Sequence, residues 1–305
     1  MTKIDEKELI SVILPVFNGE KFVHKAISSI LKQSYKNFEL IVVNDGSSDS
    51  SLHKIQEIQK TDKRIILINR ENKGLIASLN EAVEVSKGQY IARMDADDIC
   101  HTNRLEKQIE LMKKESLDIC GCHYFLINEN DEIIDFNLVP TSHETCTLSL
   151  ASKVPFAHPS VIIKKKFLTD HSLAYGQSEY LTAEDFDLWS RMFQKGAKFG
   201  NVKDVLFRYR ILDNSLSKTN QTRLILDAKG ITYDFVNNNK HKLKKLINTI
   251  SIKHLNNEEK SLFIRASLRT SIKTLNFSLL RKLKYIESKI VVTTLLSELY
   301  QWVRS

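Results

Sequence analysis

The chain has 305 residues, 42% hydrophobic and 27% charged, with only 9 Gly and 4 Pro, which excludes collagen-like, low-complexity and largely disordered classes. Its net charge of +8 is uneven: residues 218–305 hold 17 Lys/Arg against 6 Asp/Glu, so the basic character belongs to the C-terminal part and the first 217 residues are slightly acidic. No apolar run reaches the roughly 20 residues of a membrane-spanning helix, the polar start Met1–Glu8 reads as no signal peptide, and Cys100, Cys120, Cys122 and Cys146 lack zinc or redox spacing, as expected of reduced, mostly buried thiols in a cytoplasmic protein.

The first elements alternate. Leu9–Leu14 is a β-branched apolar run closed by Pro15, which predicts a buried strand, and Val16–Glu20 is a turn containing Asn18 and Gly19. Apolar residues at 22, 23, 26, 27, 30 and 31 predict a helix over 22–33. Phe38–Val43 is a second strand running into Asn44–Asp49, followed by a helix through Leu52, Ile55 and Ile58. Arg64–Ile68 is a third strand, and a third helix over 74–85 is stopped by Gly88. Tyr90–Ala92 is a fourth strand that leads to Asp95-Ala96-Asp97-Asp98.

Strands without alternation, spaced by helices, predict a mostly parallel sheet covered on both faces. Ligands of such sheets bind beyond the carboxyl ends of the strands. The loops 15–20, 44–49 and 95–98 all fall at those ends, so they should meet at one crevice. None contains G-x-G-x-x-G or G-x-x-x-x-G-K-[ST], which argues against a dinucleotide or P-loop site, and no Gly-rich basic loop follows the first strand as a nucleotidyltransferase would need. Three carboxylates within four residues repel one another unless a cation sits among them, and their oxygens suit Mg²⁺ or Mn²⁺. An Asp-rich turn capping the next helix is the simpler alternative, and Asp98 fits that role.

Further along, 104–112 reads as a helix capped by Asn103 or Thr102, and 118–127 as a strand ending in a hairpin-like turn at Asn128–Asp131. His123 lacks any partner spacing and reads as a core or rim residue. His158-Pro159-Ser160 precedes an apolar strand. Thr182–Met192 is a helix with Glu184 and Asp185 at its start, where acids also favour the helix dipole. From Gln221 onward the spacing is helical, with the densest basic run at Lys240–Lys245. Those helices are either a subdomain with a solvated basic face or a dock for an anionic membrane surface, where each basic residue contributes about 1 kcal/mol. Nucleic acid is not expected, because no recognition motif or interleaved aromatics are present.

Taken in order, Ser11–Asn18, Val42–Asp49, Lys73-Gly74-Leu75 and Met94–Asp98 resemble the family-2 glycosyltransferases of the GT-A fold. The resemblance covers about the first 217 residues, so the expected domains are a GT-A catalytic domain over 1–217, Rossmann-like with helices on both faces, and an α-helical C-terminal extension over 218–305. It implies an inverting, metal-dependent transfer of a hexose or N-acetylhexosamine from a UDP-sugar to a saccharide or glycolipid acceptor, of the lipid-linked or lipopolysaccharide type, giving a β-linked product. An acceptor carried on a lipid would suit the membrane-docking alternative for the basic tail, at the inner face of the cell membrane. By the resemblance, Asp45 matches the acid on the uracil edge, with Pro15 and Phe17 lining the base and Lys73 a further nucleotide contact. Asp95 matches a ribose-and-metal contact, Asp97 the metal ligand, and His158 the donor-sugar side. Asp185 matches the general base, Glu184 an acceptor contact, and Gly176 the loop beside the acceptor. One departure stands out: Tyr209-Arg210-Ile211-Leu212 has Leu where relatives often carry a metal-binding His before an Asn-x-Ser stretch. Leu cannot ligate, which leaves open a non-catalytic nucleotide-sugar-binding or scaffold protein of the same fold.

Overall fold

The computed structural model describes residues 8–212 and 221–303, with side chains to Leu299. The polar start before Glu8, the Asn214–Ser217 stretch and the 217/218 boundary lie outside the described residues. The first elements follow the expected alternation: β1 (Ile10–Val16), α1 (Val23–Leu31), β2 (Phe38–Asp45), α2 (Ser51–Gln59), β3 (Ile65–Arg70), α3 (Leu75–Val85) and β4 (Tyr90–Arg93). Then come β5 (Ile99–Cys100), α4 (Arg104–Glu115), the hairpin of β6 (Ile119–Ile127) and β7 (Ile133–Asn137), α5 (His143–Leu150), β8 (Ile162–Lys164), α6 (Lys165–Asp170), α7 (Glu184–Gln194) and β9 (Phe199–Arg210). Helices α8 (Gln221–Thr249), α9 (Asn257–Thr274) and α10 (Ser288–Val303) complete it, so the helical C-terminal region is as expected.

The strands form one sheet in the order β3-β2-β1-β4-β8-β6-β9-β5, with β7 beside β6. The four strands of the alternating region are mutually parallel, and β8, pairing β4, runs antiparallel. Ile10, Val12, Leu14 and Val16 of β1 pack with Val23, Ala26, Ile27 and Ile30 of α1 and with Leu105, Ile109 and Met112 of α4. Each large aliphatic so enclosed contributes roughly 1.5–3 kcal/mol. Ile13, Ile41 and Val43, on the opposite face, are also fully buried, and α3 packs on β1 and β2. Burial on both faces is why these strands lack alternation.

Three local expectations are corrected. Pro15 does not close the first strand; it lies within β1, opposite Val43. The N–H of Ile10 bonds toward β2, at Asn37 O, so odd-numbered N–H groups of β1 point toward β4. The β1–β4 ladder stops at Ile13, and a missing N–H at 15 therefore breaks nothing. Gly88 does not stop α3, whose C-terminal cap is Ser86 in extended conformation. A β-carbon on Gly88 would sit 2.6 Å from Ser11 N and 2.7 Å from Leu9 O, so glycine is there for backbone approach. Asn103 precedes α4 but its side chain makes no cap; Gln33, just after α1, instead accepts the N–H of Leu105 at 3.0 Å.

By packing, the chain forms two compact units: residues 1–139, 156–179 and 201–219, and residues 140–155, 180–200 and 220–305. The sheet crevice belongs to the first. Residues 140–155 and 180–200, expected within the catalytic domain, pack with the C-terminal helices. In that second unit, Ile231, Phe235, Leu243 and Ile247 form the buried stripe of α8, and the rings of Phe193 and Phe235 lie 5.2 Å apart. Thr182 donates from N and Oγ1 to Asp227, and Arg265 and Arg269 both pair with Glu298 of α10. All four cysteines are free and buried, as expected.

Candidate active site

The loops after β1 and β2 are stitched together. Asn18, with φ 50°, takes its Oδ1 to Ser48 N (2.9 Å), and its own N–H donates to Ser47 Oγ (3.0 Å). Gly19 N donates to Ser51 Oγ, Glu20 N to Asp49 Oδ2, and Ser50 N to Glu20 Oε2. Pro15 is half-buried at this end of β1, and Phe17 projects from the loop 56% exposed. The third loop adjoins them, since a β-carbon on Gly19 would lie 3.5 Å from Ala96 Cβ. The three loops thus converge as their positions predicted.

Asp45 ends β2, 3% exposed, and its carboxylate organises the next loop. Oδ1 accepts from Lys73 N (2.8 Å) and from Arg70, and Oδ2 accepts from Gly74 N (2.9 Å). Both oxygens are therefore engaged by the 70–74 loop, whereas a simple turn bond at the strand exit would have used one. The Lys73 side chain points to solvent.

The carboxylates of Asp95, Asp97 and Asp98 have oxygens all within 4.8 Å of one another. Arg93, buried in β4, donates to Asp95 Oδ2 at 2.6 Å. Asp98 is 1% exposed; its Oδ1 accepts from Arg210 N at 2.7 Å, and its Oδ2 is buried without a hydrogen bond. Burial, then the charge of Asp95, raises the Asp97 carboxyl from 3.8 to about 6. Burial and the neighbouring Asp97 push Asp98 well above its ordinary range. An orphaned carboxylate oxygen in a cluster of crowded acids is the donor set a hard divalent cation takes up, so the residues fit Mg²⁺ or Mn²⁺. Asp98 thus joins the cluster rather than capping α4. Leu212 is half-buried and offers no donor.

The raised Asp97 gives a pH signature. Without metal, its proton favours the folded state; that contribution is full below the ordinary value of 3.8 and is lost as pH rises through about 6. A divalent ion replaces the proton. The rise in melting temperature produced by Mn²⁺ is therefore expected to be small at about pH 5 and larger at about pH 7.5 by scanning fluorimetry. An equal rise at both would remove Asp97 from the ion's ligand set.

His158 opens a 3-10 turn, His158–Ser160, and its Nε2 lies 3.3 Å from Tyr175 Oη. Burial, aided by the charge of Arg93, holds its imidazole well below the usual histidine range, so it is neutral at physiological pH. Asn80 of α3 bonds both Tyr175 N and Tyr175 O at 3.0 Å. Gly176, at φ +71°, follows; a β-carbon there would meet Ile76 Cγ2 at 2.7 Å, so both conformation and space require glycine. His123 is a buried residue whose Nδ1 accepts from Val139 N.

Glu184 and Asp185 open α7 in the second unit. Glu184 is buried, and Asp185 is half-buried with Oδ1 accepting from Phe186 N at 2.7 Å.

Three arginines were missed from sequence. Arg70 grips Asp45 and Glu81, and Arg93 grips Asp95. Arg210, its side chain wholly buried, stacks 4.3 Å over Phe22 and donates to Asp97 O, Asn128 O and Asp131. Arg210 thereby fixes the acid loop to the β6–β7 turn. An arginine inside an apolar strand two residues before the acid cluster was the available signal for Arg93, since buried charges come paired.

A sheet with acids gathered at the carboxyl ends of its parallel strands is the architecture of GT-A glycosyltransferases. S. aureus TarS 1-349 in complex with UDP-GlcNAc matches with a TM-score of 0.58 at 17% identity, covering 93% of this chain and 88% of that one. The mannosyltransferase PcManGT from Pyrobaculum calidifontis, in complex with GDP-Man and Mn2+, matches with a TM-score of 0.56 at 13% identity, covering 96% and 80%. The chain belongs to glycosyl transferase family 2, whose family model matches residues 11–171. Among relatives, an uncharacterized glycosyltransferase of Haemophilus influenzae is 32% identical over 269 residues, 83% of this chain and 82% of that protein. The Escherichia coli O-antigen biosynthesis glycosyltransferase WbnJ is 34% identical over 215 residues, 70% and 83% of the two chains. The Escherichia coli UDP-Glc:alpha-D-GlcNAc-diphosphoundecaprenol beta-1,3-glucosyltransferase WfgD is 30% identical over 247 residues, 80% and 93%.

Proposed function

We propose that this glycosyltransferase moves a hexose or N-acetylhexosamine from a UDP-sugar to a lipid-linked or lipopolysaccharide-type saccharide, with inversion to a β-linkage. It would act in surface-polysaccharide assembly at the cytoplasmic face of the membrane, with its basic tail against that face and 1–217 as the catalytic domain. The observation that carries this reading is the meeting of three strand-end loops, one bearing an exposed Phe17 and one bearing three crowded acids. WbnJ, by name, works in O-antigen biosynthesis, and WfgD is named as a UDP-Glc-dependent beta-1,3-glucosyltransferase on an alpha-D-GlcNAc-diphosphoundecaprenol acceptor.

In this reading Pro15, Phe17 and Asp45 hold the uracil, Lys73 contacts the nucleotide, and His158 borders the donor sugar as a neutral group. Asp45 can still accept the uracil N–H, because a carboxylate offers about four acceptor positions and three are used. Asp185 takes the proton of the acceptor hydroxyl as its oxygen bonds to C1, while the C1–O bond to UDP breaks with its electron pair leaving on the diphosphate. Glu184 holds the acceptor. Asp97 and Asp95 would hold Mg²⁺ or Mn²⁺, which when bound offsets charge growing on the diphosphate. Leu212 does not oppose this, since Mg²⁺ keeps several waters.

UDP release measured over a panel of UDP-sugars, with and without Mn²⁺, tests the reading. One donor should be turned over with acceptor-stimulated, Mn²⁺-dependent release. No release from any donor would favour the scaffold alternative.

A further inference from the structure

We infer that the helical unit docks on an anionic bilayer through one corner, the end of α9 and the segment after it, residues 272–285; this deepens the membrane contact proposed above. The helix ends at Leu275, whose backbone is left-handed (φ 50°, ψ 32°) and which is 84% exposed. Glycine is the usual residue there, because a β-carbon is strained in that conformation. Leu275 therefore combines an unfavourable backbone with an apolar side chain in water, and gains nothing from the core in return. Ile272, Phe277 and Tyr285 of the same segment are each more than half exposed.

The corner is held in place. Lys282 Nζ donates to Asn248 O and Ile250 O at the end of α8, and Lys273 Nζ lies 3.7 Å over the ring of Tyr233, itself 56% exposed on α8. Its charge is one-sided: residues 272–285 hold Lys273, Arg281, Lys282 and Lys284 and no Asp or Glu. Of the flanking acids, Glu298 is taken by Arg265 and Arg269 and Glu259 by the α9 cap, while Glu287 is exposed at the edge of the corner. A second copy meeting it through the same corner would bring the same positive charge, and a purely polar partner would leave the leucine and aromatic rings unmatched. A bilayer interface supplies both anionic headgroups and apolar depth.

The full chain is expected to sediment with phosphatidylcholine vesicles containing about one third phosphatidylglycerol, not with phosphatidylcholine alone, and less so at high salt. Leu275→Gly should raise the melting temperature yet weaken vesicle binding about tenfold. Leu275→Glu with Phe277→Glu should weaken it at least about tenfold. A merely structural Leu275 would not move the two readouts in opposite directions. UDP release with a water-soluble acceptor should be unchanged in both variants. The proposal is overturned if the wild-type chain stays in the supernatant, if the double variant sediments like it, or if sedimentation velocity shows a dimer that the double variant dissolves. Vesicle binding that follows this pattern in a chain without UDP release supports the docking corner and defeats only the transferase reading.

Discussion

If Asp185 is the base proposed above, Asp185→Asn is expected to lower glycosyl transfer by about a hundred- to ten-thousand-fold, the usual contribution of a positioned general base. The substitution is nearly isosteric. The amide oxygen of Asn can still accept the Phe186 N–H that Asp185 Oδ1 accepts at 2.7 Å, so the start of α7 and the melting temperature should hold. What Asn cannot do is take a proton from a sugar hydroxyl. UDP affinity by calorimetry should also be unchanged, which separates a lost base from a lost donor site. Wild-type turnover in this variant would mean that another group accepts the proton, and the role given to Asp185 would be withdrawn.

Asp97→Ala is expected to lower transfer by about a hundredfold or more, because stabilisation of the leaving charge is lost at its source. It should also abolish the pH-dependent rise in melting temperature with Mn²⁺. Without metal the variant should be more stable than wild type above about pH 6, since a crowded carboxylate has been removed and its neighbours Asp95 and Asp98 are relieved. Opposite effects on stability and activity distinguish a functional acid from a structural one. Unchanged transfer, or unchanged response to Mn²⁺, would exclude Asp97 as a ligand.

Much of the fold is legible in the sequence because the parallel strands are buried on both faces, and so read as unbroken apolar runs separated by helical spacing. The convergence of the three loops follows from that alone. Pro15 and Gly88 were misread because each looks like punctuation along the chain, while its reason lies across the sheet: an unneeded N–H at one, a close backbone contact at the other. The arginines were hidden for a related reason. Arg70, Arg93 and Arg210 are strand residues whose partners lie on a neighbouring strand end, a helix, an adjacent turn or a distant loop, and nothing in local spacing marks a buried cation as the counterweight to particular acids. The hairpin strand β7 was missed because it has no buried residue: Ile133, Ile134 and Phe136 are all exposed, so its apolar pattern has no solvent-facing complement to betray it. Family motifs located candidate residues that spacing alone could not, above all Asp185.

The stitched loops at the crevice carry a consequence for how a donor is captured. The backbone of these loops is held by the chain's own side chains, those of Asn18, Glu20, Asp45 and Asp49. The base would enter a ready-made mould, and little chain entropy is forfeited on arrival. At the proposed donor site, association should then be quick, with a heat-capacity change no larger than the covered apolar area accounts for.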